Sequence, residues 1–183
     1  KEFEDFIVEE IEIPSHDGVT LPVSLIYNKG LKKDGNNRTL LYGYGSYGVP
    51  SRPYFYHNLL LWVREGGILV VSHVRGGGEK GDAWHKAGMK TNKHNTWKDF
   101  IATVEYMIEN KYTSPEKTVA WGTSAGGIMA GRAVTERPEL FKVLIGVSPA
   151  MNIFRSEFQP NGLNSIKEFG TVKDSLEFRA LLN

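Results

Sequence analysis

No cysteine occurs among the 183 residues, so the chain has no disulfide, thiol nucleophile or thiolate metal ligand. It lacks an excess of either charge: 22 Lys and Arg against 21 Asp and Glu leave a formal net charge of +1. That balance gives no electrostatic case for nucleic acid or an anionic membrane as partner. No apolar run approaches the roughly 20 residues of a membrane-spanning helix. Neither H-x-x-x-H nor H-E-x-x-H is present, and no metal is expected. Arg75-Gly76-Gly77-Gly78 lacks the lysine and hydroxyl residue of a phosphate-binding loop, and no dinucleotide-type glycine pattern opens a helix. No cofactor is therefore expected. The opening KEFEDFIVEE has neither an initiating Met nor a secretory pattern. It starts inside strand-like sequence and is expected to follow upstream sequence, which leaves cytoplasm and periplasm both open.

What is present is an alternation of strands and helices. Residues 6–13 and 19–27 read as two antiparallel strands joined through Asp17-Gly18, with Pro22 pointing to an edge or an irregularity. Residues 39–44 form a strand running into the glycine and aromatic loop Gly43–Gly48. An apolar helix is predicted over 54–65, and Ile68–Val74 reads as a central parallel strand. A long loop to about Asn95 and a helix from Trp97 to Asn110 follow. Residues 118–121 and 143–147 read as further strands. Residues 150–173 show no period, and a short helix over 174–182 is capped by Asp174 or Thr171. This order predicts one α/β domain: a mostly parallel sheet of α/β-hydrolase type, an N-terminal antiparallel hairpin, helices on both faces, and truncation before the last strands.

The chain is organised around Thr118–Thr135. Gly122-Thr123-Ser124-Ala125-Gly126 matches G-x-S-x-G, between an apolar strand and a small-residue helix predicted from Ile128. At such a corner the backbone is strained and the serine hydroxyl is lifted clear of the sheet. Ser124 is the candidate nucleophile. The Ala125 amide, near the positive end of the following helix, is a candidate oxyanion donor. The Tyr44 phenol, in the loop after the strand of residues 39–44, is a second candidate donor or a packing residue. Tyr47 lines a pocket for an apolar or ring-bearing side chain, or covers the sheet edge. A catalytic serine of this kind needs a histidine base, placed after the serine in this fold. His16, His57, His73, His85 and His94 all precede Ser124. For each of them a structural or solvent role is expected.

These residues carry a resemblance. Leu41-Tyr42-Gly43-Tyr44-Gly45-Ser46-Tyr47, Arg75-Gly76-Gly77-Gly78-Glu79 with Gly81 and Trp84-His85, Tyr112-Thr113-Ser114-Pro115 and the Ser124 turn resemble the prolyl oligopeptidase family of serine peptidases over residues 6–150. The resemblance implies Ser124 as nucleophile, Tyr44 and the Ala125 amide as the oxyanion hole, and Tyr47 at a position where prolyl oligopeptidases often carry Phe. Ala125 stands where those enzymes often have Asn. Both departures count against strict post-proline specificity. The resemblance also implies partners outside the chain: short peptide substrates, an N-terminal β-propeller, and a C-terminal segment bearing the catalytic Asp and His. Residues 1–183 are then a partial catalytic domain, inactive alone, whose last strand exposes an edge for dimerisation. A carboxylesterase or lipase on the same fold, and a non-catalytic scaffold, are the alternatives.

Overall fold

The computed structural model describes residues 4–52 and 57–182. In chain order the strands are β1 (Phe6–Pro14), β2 (Thr20–Asn28), β3 (Thr39–Tyr42), β4 (Ile68–Ser72), β5 (Thr118–Thr123) and β6 (Val143–Val147). The helices are α1 (His57–Arg64), α2 (Asp82–Lys86), α3 (His94–Glu109), α4 (Gly126–Glu136), α5 (Gly162–Phe169) and α6 (Ser175–Leu182). All six strands join one sheet in the order β1-β2-β4-β3-β5-β6. The β1–β2 hairpin pairs antiparallel and docks antiparallel on β4, while β4, β3, β5 and β6 run parallel. This is a mixed, mostly parallel sheet of α/β-hydrolase type.

Alternate residues of the central strands feed two cores. Leu41, Ile68, Val70 and Ala120 face α3 and α4 and pack with Phe100, Val104, Met107, Met129 and Ala133. Leu40, Leu69 and Val71 face the other way, onto Val63, Leu59 and Trp62 of α1. Strands covered on both sides should read as continuous apolar runs, and β4 does so with all five residues buried. The far edge differs. Val143, Leu144, Ile145 and Val147 of β6 are all exposed, although β6 pairs fully with β5.

Several expectations shift. The helix predicted over 54–65 is described as His57–Arg64, and residues 53–56 lie outside the described residues. Pro22 is not at an edge, since β2 lies between β1 and β4. The β4 ladder covers only Val23–Ile26, so Pro22 falls just beyond it, where its missing N–H is tolerated and its carbonyl accepts from His73 N–H at 3.1 Å. The long loop to Asn95 contains α2, and α3 begins at His94 rather than Trp97. The aperiodic stretch 150–173 contains a 3-10 turn, Ile153–Phe158, and α5. Asp174 Oδ1 accepts from the Leu176 and Glu177 amides, both at 2.9 Å, and so caps α6.

Buried charge fixes the hairpin to this frame. Arg75, just past β4, donates Nε to Asp99 Oδ2 at 3.0 Å and Nη2 to Oδ1 at 2.7 Å, and reaches Asp17 of the hairpin turn at 2.6 Å. Ser15 also donates to Asp99. Burial pulls the guanidinium pKa down, but the two carboxylates outweigh it and hold the value above the ordinary one.

Candidate active site

β3 and β5 are neighbours in parallel register, with Tyr42 opposite Trp121. The segments leaving their carboxyl ends therefore emerge side by side, the position where open α/β sheets build their sites. Tyr44 leaves β3 and Ser124 leaves β5. The Ser124 hydroxyl lies close enough to the Tyr44 phenol to act on its ionisation.

Ser124 adopts φ 51°, a left-handed backbone in a residue with a Cβ. Strain of this kind amounts to about 1–3 kcal/mol and persists only where the surroundings impose it. Three backbone hydrogen bonds do so here. Ser124 N–H donates to Val147 O at 3.0 Å, and its carbonyl accepts from Gly127 N–H at 3.0 Å and Ala150 N–H at 2.8 Å. Gly122 permits the corner, because a Cβ there would overlap the Gly126 carbonyl and press on Ala130. The side chain of Ser124 is left exposed while Ala125, Gly126 and Gly127 behind it are buried. Ala125 stands at the N-terminus of α4, where amides have no intrahelical acceptor and the helix dipole favours negative charge.

The loop carrying Tyr44 is packed on its far side. Gly45 has φ +67°, and a Cβ on it would collide with Thr96 and Val74. Gly48 N–H donates to Gly76 O at 3.1 Å. Burial pushes the Tyr44 phenol above its ordinary pKa, the nearby Ser124 hydroxyl opposes this, and the negative charge of Glu168 adds to the rise. The phenol stays protonated, and so able to donate, past the ordinary tyrosine value of about 10.

Tyr47 has φ 58° and stands edge-on to Phe169 of α5, ring centroids 5.5 Å apart. Burial pushes its phenol above the ordinary pKa, and the nearby Ser165 hydroxyl opposes the rise. Sequence reasoning missed Phe169, Ser165 and the neighbouring Glu168, because α5 lay in the stretch without a period. His85, expected to be structural, places Nε2 2.7 Å from Glu168 Oε2. Trp84 is buried separately, its indole N–H shared between the carbonyls of His73 and Val74, each at 3.1 Å.

The other described histidine rings also have partners. His73 Nε2 lies 2.6 Å from Ser24 Oγ, His16 Nε2 3.2 Å from Asn95 Oδ1, and His94 Nδ1 3.1 Å from Thr91 O. The side chain of His57 lies outside the described residues. Among the described residues, no group of three or more His, Asp or Glu could hold a metal ion.

Residues 53–179 match the model of the prolyl oligopeptidase family. The chain belongs to that family. It is 40% identical over 174 residues to a prolyl endopeptidase of Elizabethkingia meningoseptica, covering 95% of this chain and 25% of that protein. A solved prolyl endopeptidase superposes with a TM-score of 0.94 at 39% identity, over 97% of this chain and 26% of the other. Oligopeptidase B from Trypanosoma brucei, solved with covalently bound antipain, gives 0.90 at 33% identity, over 97% and 26% of the two chains. The chain thus spans about a quarter of the length of these family members.

Proposed function

We propose that this chain carries the nucleophile, the oxyanion site and one wall of the substrate pocket of a serine peptidase acting on short peptides. The observation that carries this reading is the strained, exposed Ser124 corner, with the Tyr44 phenol leaving the neighbouring strand beside it. A general base takes the Ser124 proton as Oγ bonds to the scissile carbonyl carbon. The oxyanion that forms accepts from the Tyr44 hydroxyl and the Ala125 amide. Its collapse breaks the C–N bond, and the base returns the proton to the leaving amine. Water then attacks the acyl-enzyme, giving up a proton to the same base, and the acid is released with Ser124 restored.

In this reading the base and its carboxylate come from the part of the protein that this chain does not span: no histidine follows Ser124, and His16, His73, His85 and His94 have other partners among the described residues. Residues 1–183 are in this reading a partial catalytic domain. The exposed β6 edge is covered by further strands of the same protein. The chain alone pairs through that edge with a second copy, which sedimentation as a dilute monomer would refute. An N-terminal propeller limits access to short peptides, as the resemblance implies. The Tyr47–Phe169 wall receives a ring-bearing or apolar side chain. Glu168 is spent on His85 and Lys93, which disfavours a cationic side chain there.

The test uses protein expressed from the whole gene, with peptide amides and short acyl esters as substrates. Ser124→Ala abolishes hydrolysis and fluorophosphonate labelling. Tyr44→Phe lowers kcat roughly 100-fold or more, about 3 kcal/mol of barrier, with KM little changed. Faster turnover of acyl esters than of peptide amides would favour an esterase. Rapid labelling of Ser124 in residues 1–183 alone would overturn the external base.

A further inference from the structure

Lys93 is a buried lysine between α2 and α3, only 8% exposed. Its ammonium donates to Gly45 O at 2.5 Å and to Ser46 Oγ at 2.7 Å. These are the two residues that follow Tyr44. Ser46 is itself fully buried. Glu168 Oε1 faces the ammonium at 3.6 Å, an ion pair rather than a hydrogen bond, and the Phe169 ring centroid lies 5.3 Å from Nζ. The second Glu168 oxygen meets His85, whose ring lies against Gly48 at the far end of the same loop. Burying an ammonium and a carboxylate is expensive unless each is paired. A fold needing only stability could fill this space with apolar side chains at no loss.

We propose that Lys93 is a positioning residue for Tyr44. Its ammonium, held by Glu168, grips the backbone just after Tyr44 and sets where the phenol stands over Ser124. Glu168 precedes Phe169 on α5, whose ring stands edge-on to Tyr47. One buried carboxylate therefore ties the oxyanion loop to the pocket wall. This inference rests on the reading of Tyr44 as an oxyanion donor. Burial lowers the Lys93 ammonium to about 8, with the charge of Glu168 opposing the fall.

The test is a double-mutant cycle in protein expressed from the whole gene. Lys93→Met is expected to lower kcat about tenfold with KM for a small acyl ester within about twofold, and Tyr44→Phe to lower it roughly 100-fold. The double variant is expected to fall no more than about twofold below Tyr44→Phe, because Lys93 acts through the phenol. Losses that multiply would overturn the proposal. If circular dichroism shows Lys93→Met unfolded, Ser46→Ala, which removes one of the two acceptors, takes its place in the cycle with the same two outcomes.

A second readout does not depend on turnover. With 13C at the tyrosine ring carbon bearing the hydroxyl, the Tyr44 signal, assigned with Tyr44→Phe, is expected to shift in Lys93→Met or Ser46→Ala while that of Tyr27 stays in place. An unmoved Tyr44 signal would overturn the clamp. Full activity in Ser124→Ala and Tyr44→Phe would instead sink the functional reading and leave this measurement to decide the clamp alone.

Discussion

β4 and β6 are both five-residue parallel strands of almost interchangeable composition, ILVVS against VLIGV. Every residue of β4 is buried and every residue of β6 is exposed. Intrinsic strand preference makes both of them strands, and only their neighbours decide how much water each sees. β4 has a strand on either side and helices over both faces. β6 is the edge strand, with β5 on one side only. The same chemistry thus serves as core in one place and as open surface in the other.

Four substitutions would break or sharpen that contrast. Val70→Asp puts a carboxylate into the covered centre of β4 and is expected to cost more than about 4 kcal/mol, unfolding the chain in a urea titration. Lys93 tests the buried rim of the same centre. Burial holds its ammonium at about 8 in the folded state against an ordinary 10.5. Between those values the unfolded chain holds the proton that the folded chain has lost, so stability rises with pH through that window. Relative to Lys93→Met, the gain from pH 8 to 10.5 is expected to be about 3 kcal/mol at most, read from urea midpoints. A flat difference curve would count against the buried cation.

Ser124→Gly relieves the left-handed backbone at the corner between β5 and α4. It is expected to stabilise the fold by about 1 kcal/mol while removing the nucleophile, as seen in a higher melting temperature. Ile145→Asp sits on the open strand and is expected to change the stability of residues 1–183 by less than about 0.5 kcal/mol. The same substitution in protein expressed from the whole gene should destabilise strongly if further strands cover β6. Equal, small effects in both would show that β6 stays bare.

The legible parts of this molecule were those whose cause is local. Gly122, Ser124 and Gly126 lie within five residues, and their spacing is itself the geometry of the corner. The runs at residues 39–42 and 68–72 announce strands because covered parallel strands cannot alternate. What could not be read depends on partners far along the chain. His85 and Glu168 lie 83 residues apart, and nothing beside either names the other. Lys93 looks like a solvated surface lysine in sequence, because its acceptors are a carbonyl and a serine 48 and 47 residues earlier. α5 was hidden for another reason. Its buried residues Gly162, Ser165, Glu168 and Phe169 recur every one to three positions but are mostly polar or small, so no apolar stripe marks the helix. The exposure of β6 was equally unreadable, since an apolar strand reads alike whether covered or bare.

Tyr47 holds its ring against Phe169 from a left-handed backbone, φ 58°. Side chains branched at Cβ are outliers in that region, other non-Gly residues are uncommon there, and Asn, Asp and His are enriched. The repertoire open to this position is therefore short: Phe, Tyr, Asn, His or Gly could stand here without moving the loop, and Val, Ile or Thr could not. Drift or engineering of selectivity at this wall can alter the tip of the side chain but not its root, and larger changes of preference would have to come from the α5 side.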